Sequence, residues 1–168
     1  MKVIKYYSTG VTLIELMVAI AVMSILLTIG VPSFNNFVQN SRSTALANEL
    51  VTTLNLARSE AVRRALDIRI CASSNQTSCS GIWDGSNGWL VIPTGTDQTP
   101  IRAWQAPASS AVISRSGASG DIIFNSLGEL TSGSTTFVTH FIGCKGDQAR
   151  SININASGRI SSRRVTCP

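Results

Sequence analysis

Gly10-Val11-Thr12-Leu13-Ile14-Glu15-Leu16-Met17-Val18-Ala19-Ile20-Ala21-Val22-Met23-Ser24-Ile25-Leu26-Leu27-Thr28-Ile29-Gly30-Val31-Pro32 is the stretch on which the fold turns. From Val11 to Val31 its only ionisable side chain is Glu15. As a helix those residues reach roughly 31 Å at ~1.5 Å per residue, about the thickness of a bilayer's hydrocarbon core. Ten polar-leaning residues precede the run, with Lys2 and Lys5 among them and Ser8-Thr9-Gly10 at their end. An ordinary secretory peptide is cut after its apolar run, next to small residues. Thr28-Ile29-Gly30-Val31-Pro32 is a poor site of that kind. Cleavage ahead of the run instead leaves an anchor on the mature chain. A carboxylate at mid-membrane costs on the order of 2–3 kcal/mol and less near an end, where Glu15 sits.

Beyond Ser33 the pattern becomes amphipathic. Leu46, Leu50, Leu54, Ala57, Ala61 and Ala65 recur at three- and four-residue spacing and form one helical stripe. Glu60 and Arg64 make an i,i+4 pair, and Arg63 and Arg64 suit a helix C-terminus. The spacing predicts one helix from about Thr12 to Leu66, kinked at Pro32, which lacks a backbone donor. After Leu66 the period falls to two. Strands are expected at Ile68–Ala72, Trp89–Ile92, Ile101–Gln105, Ala111–Arg115, Ile122–Phe124, Thr136–Ile142 and Ser151–Asn155. The fold class expected is α+β: a long N-terminal helix packed on an antiparallel β-sheet head. Its parts are a leader over 1–10, a membrane or filament half of the helix over 11–31, an amphipathic half over 32–66 and a β-rich head over 67–168.

The residues Gly10-Val11-Thr12-Leu13-Ile14-Glu15 resemble the prepilin motif of type IV pilins and type II secretion pseudopilins. Val11 stands where that family usually has phenylalanine. The resemblance implies cleavage after Gly10 by a prepilin peptidase, methylation of Val11, and pairing of Glu15 with the amino terminus of a neighbouring subunit. Cys71-Ala72-Ser73-Ser74 leading to Cys79, with Trp83 and Gly88-Trp89-Leu90-Val91-Ile92 after it, is similar to the GspH/FimT group of pilins. So is the pairing of Ile123-Phe124-Asn125-Ser126-Leu127-Gly128 with Ile152-Asn153-Ile154-Asn155-Ala156-Ser157-Gly158-Arg159-Ile160. The likeness is greatest to FimT/FimU-type minor pilins. It implies other pilins, major and minor, as partners. It also implies a single-pass inner-membrane state with a periplasmic head, followed by an extracellular pilus.

The four cysteines beside a targeting segment favour disulfides in an oxidising compartment. Of three connectivities, the expected one pairs Cys71 with Cys79 and Cys144 with Cys167. No C-x-x-C pair exists and histidine occurs once, so no metal or cofactor is expected. His140 in an apparent strand, with no Ser-His-Asp order or carboxylate pair, gives no enzyme. Trp83, Trp89 and Trp104 are read as core aromatics. Asp84-Gly85-Ser86-Asn87-Gly88 is read as a turn, because it lacks the further acidic ligands of a calcium loop.

The chain carries a formal charge of +5. Lys145, Arg150, Arg159, Arg163 and Arg164 crowd its end, opposed there only by Asp147. Ser151-Ile152-Asn153-Ile154-Asn155 alternates, but Ser161-Ser162-Arg163-Arg164 offers nothing to bury. Arg159, Arg163 and Arg164 are therefore expected on a constrained, solvent-facing loop tied back by Cys167. Arginine forks match phosphate oxygens, and such contacts are indifferent to base sequence. In the resembled family a C-terminal G-R-x-R element binds DNA in natural transformation. Gly158 and Arg159 fit that element, while position 161 is serine. The reading is a minor pilin that binds double-stranded DNA through Arg159, Arg163 and Arg164, flanked by Lys145 and Arg150, for uptake. Arg63, Arg64 and Arg69 could widen the surface or be structural. The alternative is a structural minor pilin that primes pilus assembly, or a type II secretion pseudopilin, without DNA affinity. On the processing reading, intact-mass measurement of the mature protein gives a chain that begins at Val11 and carries one added methyl group; a first residue beyond Val31 refutes it.

Overall fold

Thr12 opens the long helix. Its Oγ1 accepts from the Glu15 backbone N–H at 3.3 Å, an N-cap that satisfies one orphan donor, and its carbonyl takes the first helical bond from Leu16 N–H at 3.1 Å. We describe a computed structural model covering residues 10–79, 82–117 and 120–168. The expected leader over 1–10 therefore lies outside the described residues except for Gly10. Helix α1 runs Leu13–Arg64 and is continuous through Pro32. It ends where Ala65 turns left-handed (φ 52°) and Leu66 N–H reaches back to Ala61 O at 3.2 Å. Ala65, expected on the buried stripe, is exposed because this cap takes it off the helical face.

The chain divides into two units, one ending at Phe37 and the other Val38–Pro168. In the first, the apolar side chains from Leu13 to Phe37 are exposed, and the helix there is long and apolar enough to cross a membrane. In the second, Ser43, Leu46, Ala47, Leu50, Thr53, Leu54, Ala57 and Ala61 are buried. This is the predicted stripe, widened by Ser43, Ala47 and Thr53.

Eight strands follow: β1 Ile68–Ser73, β2 Gly88–Pro93, β3 Arg102–Trp104, β4 Ala111–Gly117, β5 Ile122–Phe124, β6 Thr135–Phe141, β7 Ala149–Ile154 and β8 Ile160–Val165. They make two antiparallel four-stranded sheets, in the orders β3-β2-β1-β5 and β4-β6-β7-β8. Seven strands fall where alternation placed them. The eighth, β8, replaces the expected loop. The core joins Leu46, Leu50 and Leu54 of the helix to Ile68, Trp89, Phe124, Phe137 and Ile152 of the sheets. Every residue of that cluster lies beyond Val38, so the head unit has a complete core of its own.

The tryptophans belong to this core. Trp89 is fully buried, its Nε1–H donates to Thr53 Oγ1 at 2.9 Å, and its ring lies 6.1 Å from Trp83 and 6.4 Å from Trp104. Asp84 makes the expected turn: its Oδ1 accepts from Ser86 N–H at 2.7 Å and Ser86 Oγ–H at 2.6 Å. These bonds hold its carboxyl below the usual carboxylate range. Both expected disulfides are present, Cys71–Cys79 and Cys144–Cys167. The second closes 23 residues, a loop whose closure is worth roughly 3 kcal/mol on the chain-entropy account.

Arg150 is the one charged residue buried among the described residues, at 5% exposure. Its Nη1 donates to the carbonyls of Asp147, Gln148 and Ala149 at 3.2, 3.2 and 3.0 Å. Its Nη2 donates to Asn40 Oδ1 at 2.6 Å and Thr44 Oγ1 at 2.9 Å on α1. One guanidinium thus fastens the start of β7 to the helix through five acceptors. Truncation strands those acceptors. Arg150→Ala is expected to destabilise the head by about 2–4 kcal/mol, and Arg150→Lys to recover only part, since an ammonium cannot reach both groups at once; urea denaturation of the three proteins checks the ranking.

Candidate nucleic-acid interface

Asn155-Ala156-Ser157-Gly158-Arg159 joins β7 to β8 and decides where the C-terminal arginines stand. Asn155 Oδ1 accepts from Arg159 N–H at 2.8 Å and from Ser157 Oγ–H at 2.9 Å. Gly158 N–H donates to Asn155 O at 2.9 Å, and Asn155 N–H to Arg159 O at 3.1 Å. Asn125-Ser126-Leu127-Gly128-Glu129 repeats the arrangement: Glu129 N–H to Asn125 Oδ1 at 2.9 Å, Gly128 N–H to Asn125 O at 2.8 Å, Asn125 N–H to Glu129 O at 2.9 Å. The two turns are joined by Leu130 N–H to Ala156 O at 2.9 Å. Arg58 of α1 clasps both, with Nε to Gly128 O at 3.0 Å and Nη2 to Ser157 O at 3.3 Å.

Gly158, expected as part of the binding element, has a structural reason to be glycine. Its φ is 74°, and a Cβ there would sit 1.9 Å from Gly128 O. The glycine lets the twin turns touch and so sets the position of Arg159.

β8 then pairs with β7 from Ile154↔Ile160 to Ala149↔Val165. The expected loop is a strand because main-chain pairing, pinned by the turn at one end and Cys144–Cys167 at the other, needs no buried side chains on a sheet edge. Ser161, Ser162, Arg163 and Arg164 are all exposed, as is Arg159. No carboxylate pairs with these arginines among the described residues.

The other expected cations divide. Lys145 is exposed in the turn at the far end of the strand pair, where its N–H donates to Gln148 Oε1 at 3.0 Å and Cys167 N–H to Gly146 O at 2.8 Å. Six residue steps separate Val165 at that end from Arg159, about 20 Å at ~3.3 Å per residue. Lys145 and Arg159 therefore mark opposite ends of a stripe. Arg150 is a correction. It points inward to α1, and burial first, then the charge of Arg164, pulls its pKa down. It offers nothing to an outside ligand. Arg63 and Arg64 both bond Glu60 at 2.6 Å, and Arg69 lies 3.4 Å from Asp121. These three are spent on local pairs. His140 is half-buried in β6, and burial lowers its pKa. Residues missed from the sequence are Ser161 and Ser162 as strand positions. The signal available was the N-x-x-G turn flanked by Ile154 and Ile160, a hairpin pattern.

A family profile described as type II transport protein GspH matches residues 46–158, and a prokaryotic N-terminal methylation motif matches residues 6–31. No curated protein matches the chain significantly. Two crystal forms of the type IV minor pilin FimU of Pseudomonas aeruginosa are similar in structure. One gives a TM-score of 0.61 at 23% identity over 79% of this chain and 99% of that one. The other gives 0.58 at 24% identity over 74% and 99%. The minor pseudopilin EpsH from the type 2 secretion system of Vibrio cholerae gives 0.52 at 13% identity over 74% and 97%.

The glycine argument is open to measurement. Gly158→Ala is expected to cost at least about 2 kcal/mol, while Gly133→Ala, which has a similar φ (81°) and nothing within 4 Å of its Cβ, costs only about 1 kcal/mol; equal losses in denaturant unfolding contradict it.

Proposed function

We propose a function for this chain from the premise that it belongs to the GspH family. It is a minor pilin or pseudopilin. The methylation motif and the exposed apolar helix fit an inner-membrane anchor with a periplasmic head that enters a filament with other pilins. Glu15, in the first turn of that helix, is the carboxylate suited to meet a neighbour's charged amino terminus. Val11 supplies that terminus after cleavage at Gly10.

The finer reading is that the head binds duplex DNA for uptake in natural transformation. The observation that carries it is the exposed edge strand, with the turn before it, presenting Arg159, Arg163 and Arg164 with no acidic neighbour in β7 or β8. Guanidiniums held on a rigid ladder need little ordering on binding, and their forks suit phosphate oxygens. Lys145 extends the stripe at its other end. Phosphate contacts of this kind are blind to sequence and weaken with salt.

A second reading has its own support: the profile match is to a type II transport protein, and EpsH shares the fold. On it, the head contributes only to assembly, and the arginines keep the sheet edge from pairing with another strand.

Titration of the full chain in nonionic detergent against duplex DNA tests the choice. Three phosphate contacts give a log K versus log salt slope of about −3. Arg159→Ala/Arg163→Ala/Arg164→Ala together are expected to abolish binding, and unchanged affinity in that variant removes the DNA reading.

A further inference from the structure

We propose that the DNA backbone lies on the outward face of the sheet β4-β6-β7-β8, between Arg159 and Arg163, and that Arg164 stands outside this contact. This rests on the DNA-binding reading and adds to it a face, a row of donors and an excluded arginine.

Side chains of a strand alternate between the two faces of its sheet. Ser162 pairs with the buried Ile152 and Arg164 with Arg150, which bonds to α1, so both point to the helix side. Ser161 pairs with Asn153 and Arg163 with Ser151, on the opposite side. The bond from Asn155 N–H to Arg159 O carries the ladder one step further, and parity puts Arg159 with Ser161 and Arg163. Arg163 and Arg164 are neighbours in sequence, yet they serve different surfaces.

The outward face suits a polyanion. Ser161, Asn153, Thr136 and Ser116 form one row across all four strands. Ser161, Asn153 and Ser116 are exposed and Thr136 is half-exposed. Asn153 Nδ2 donates to Thr136 Oγ1 at 2.9 Å, which holds the middle of the row in place. Its remaining N–H and the three hydroxyls are free to turn outward as donors. No strand of this sheet contains an aspartate or glutamate. Arg115, the one arginine of β4, is turned away, donating to Thr135 Oγ1 at 3.0 Å and lying over the buried Phe137 ring.

Spacing agrees with the chemistry. Arg159 and Arg163 are four residues apart on one face, about 13 Å at ~3.3 Å per residue. A DNA strand advances ~3.4 Å along its axis per nucleotide, so the two forks span about four nucleotides with the hydroxyl row between them. The face is formed by four paired strands, so its donors stand on a hydrogen-bonded ladder.

Ser161 and Ser162 make the test sharp, because they are adjacent, both exposed, and on opposite faces. The full chain in nonionic detergent is titrated with fluorescein-labelled duplex DNA at about 0.15 M salt, where screening acts over ~8 Å. Ser161→Asp is expected to weaken binding about tenfold and Ser162→Asp less than about twofold, the same charge change on different faces. Arg163→Ala and Arg164→Ala form a second pair, decisive should either aspartate variant unfold, with weakening expected for Arg163→Ala alone. Equal losses within the deciding pair, or the reverse order, overturn the face assignment and leave DNA binding standing. An unmodified chain that does not bind the duplex ends both.

Discussion

Between Leu46 and Ala61 a single stripe of α1 is covered by two four-stranded sheets, and the head is arranged around that contact. Leu46, Leu50 and Leu54 are each at most 4% exposed, while Ala57 and Ala61 are fully buried. Burying such a leucine is worth about 2 kcal/mol. Among the described residues the sheets have no other helix to lie on, and no other element covers this half of α1. The half before Val38 shows the contrast: the same helix, left bare and apolar, is fit for lipid or for other helices.

Much of this was legible because the signals were periodic. Glu15 set near one end of an otherwise uncharged run marked the anchor, and leucines at three- and four-residue spacing marked the packed face. Seven strands announced themselves by alternation. β8 did not, because an edge strand with both faces in water owes its form to main-chain pairing, which side chains do not record. Arg150 was misread for a related reason. Composition reveals a cation but not its direction, and a guanidinium met by three carbonyls and two side-chain oxygens of Asn40 and Thr44 can be buried without an ion pair. Gly158 was noticed but explained too narrowly, since the atom that forbids a side chain there belongs to Gly128, thirty positions away.

The basic C-terminus is better described as two populations than as one patch. Arg150, like Arg115 of β4, faces inward and donates to groups of the fold. Arg159, Arg163 and Arg164 stand in water along one edge and the turn that leads into it. Their position is fixed by elements with no charge of their own: the asparagine-closed turn, the glycine contact and the terminal disulfide. Positioning of this kind lowers the freedom that a donor loses when it meets a ligand.

The twin turns have a consequence for how such a head can diversify. Asn125–Glu129 and Asn155–Arg159 share one backbone form and one clasp, Arg58, yet end on residues of opposite sign. At the last position of each the peptide group closes the turn; the Arg159 side chain takes no part in it, whereas Glu129 Oε2 also accepts from Asn125 Nδ2 at 3.4 Å. Substitution at Arg159, whose side chain its turn does not use, can therefore reverse the polarity of that corner of the surface while the scaffold stays the same.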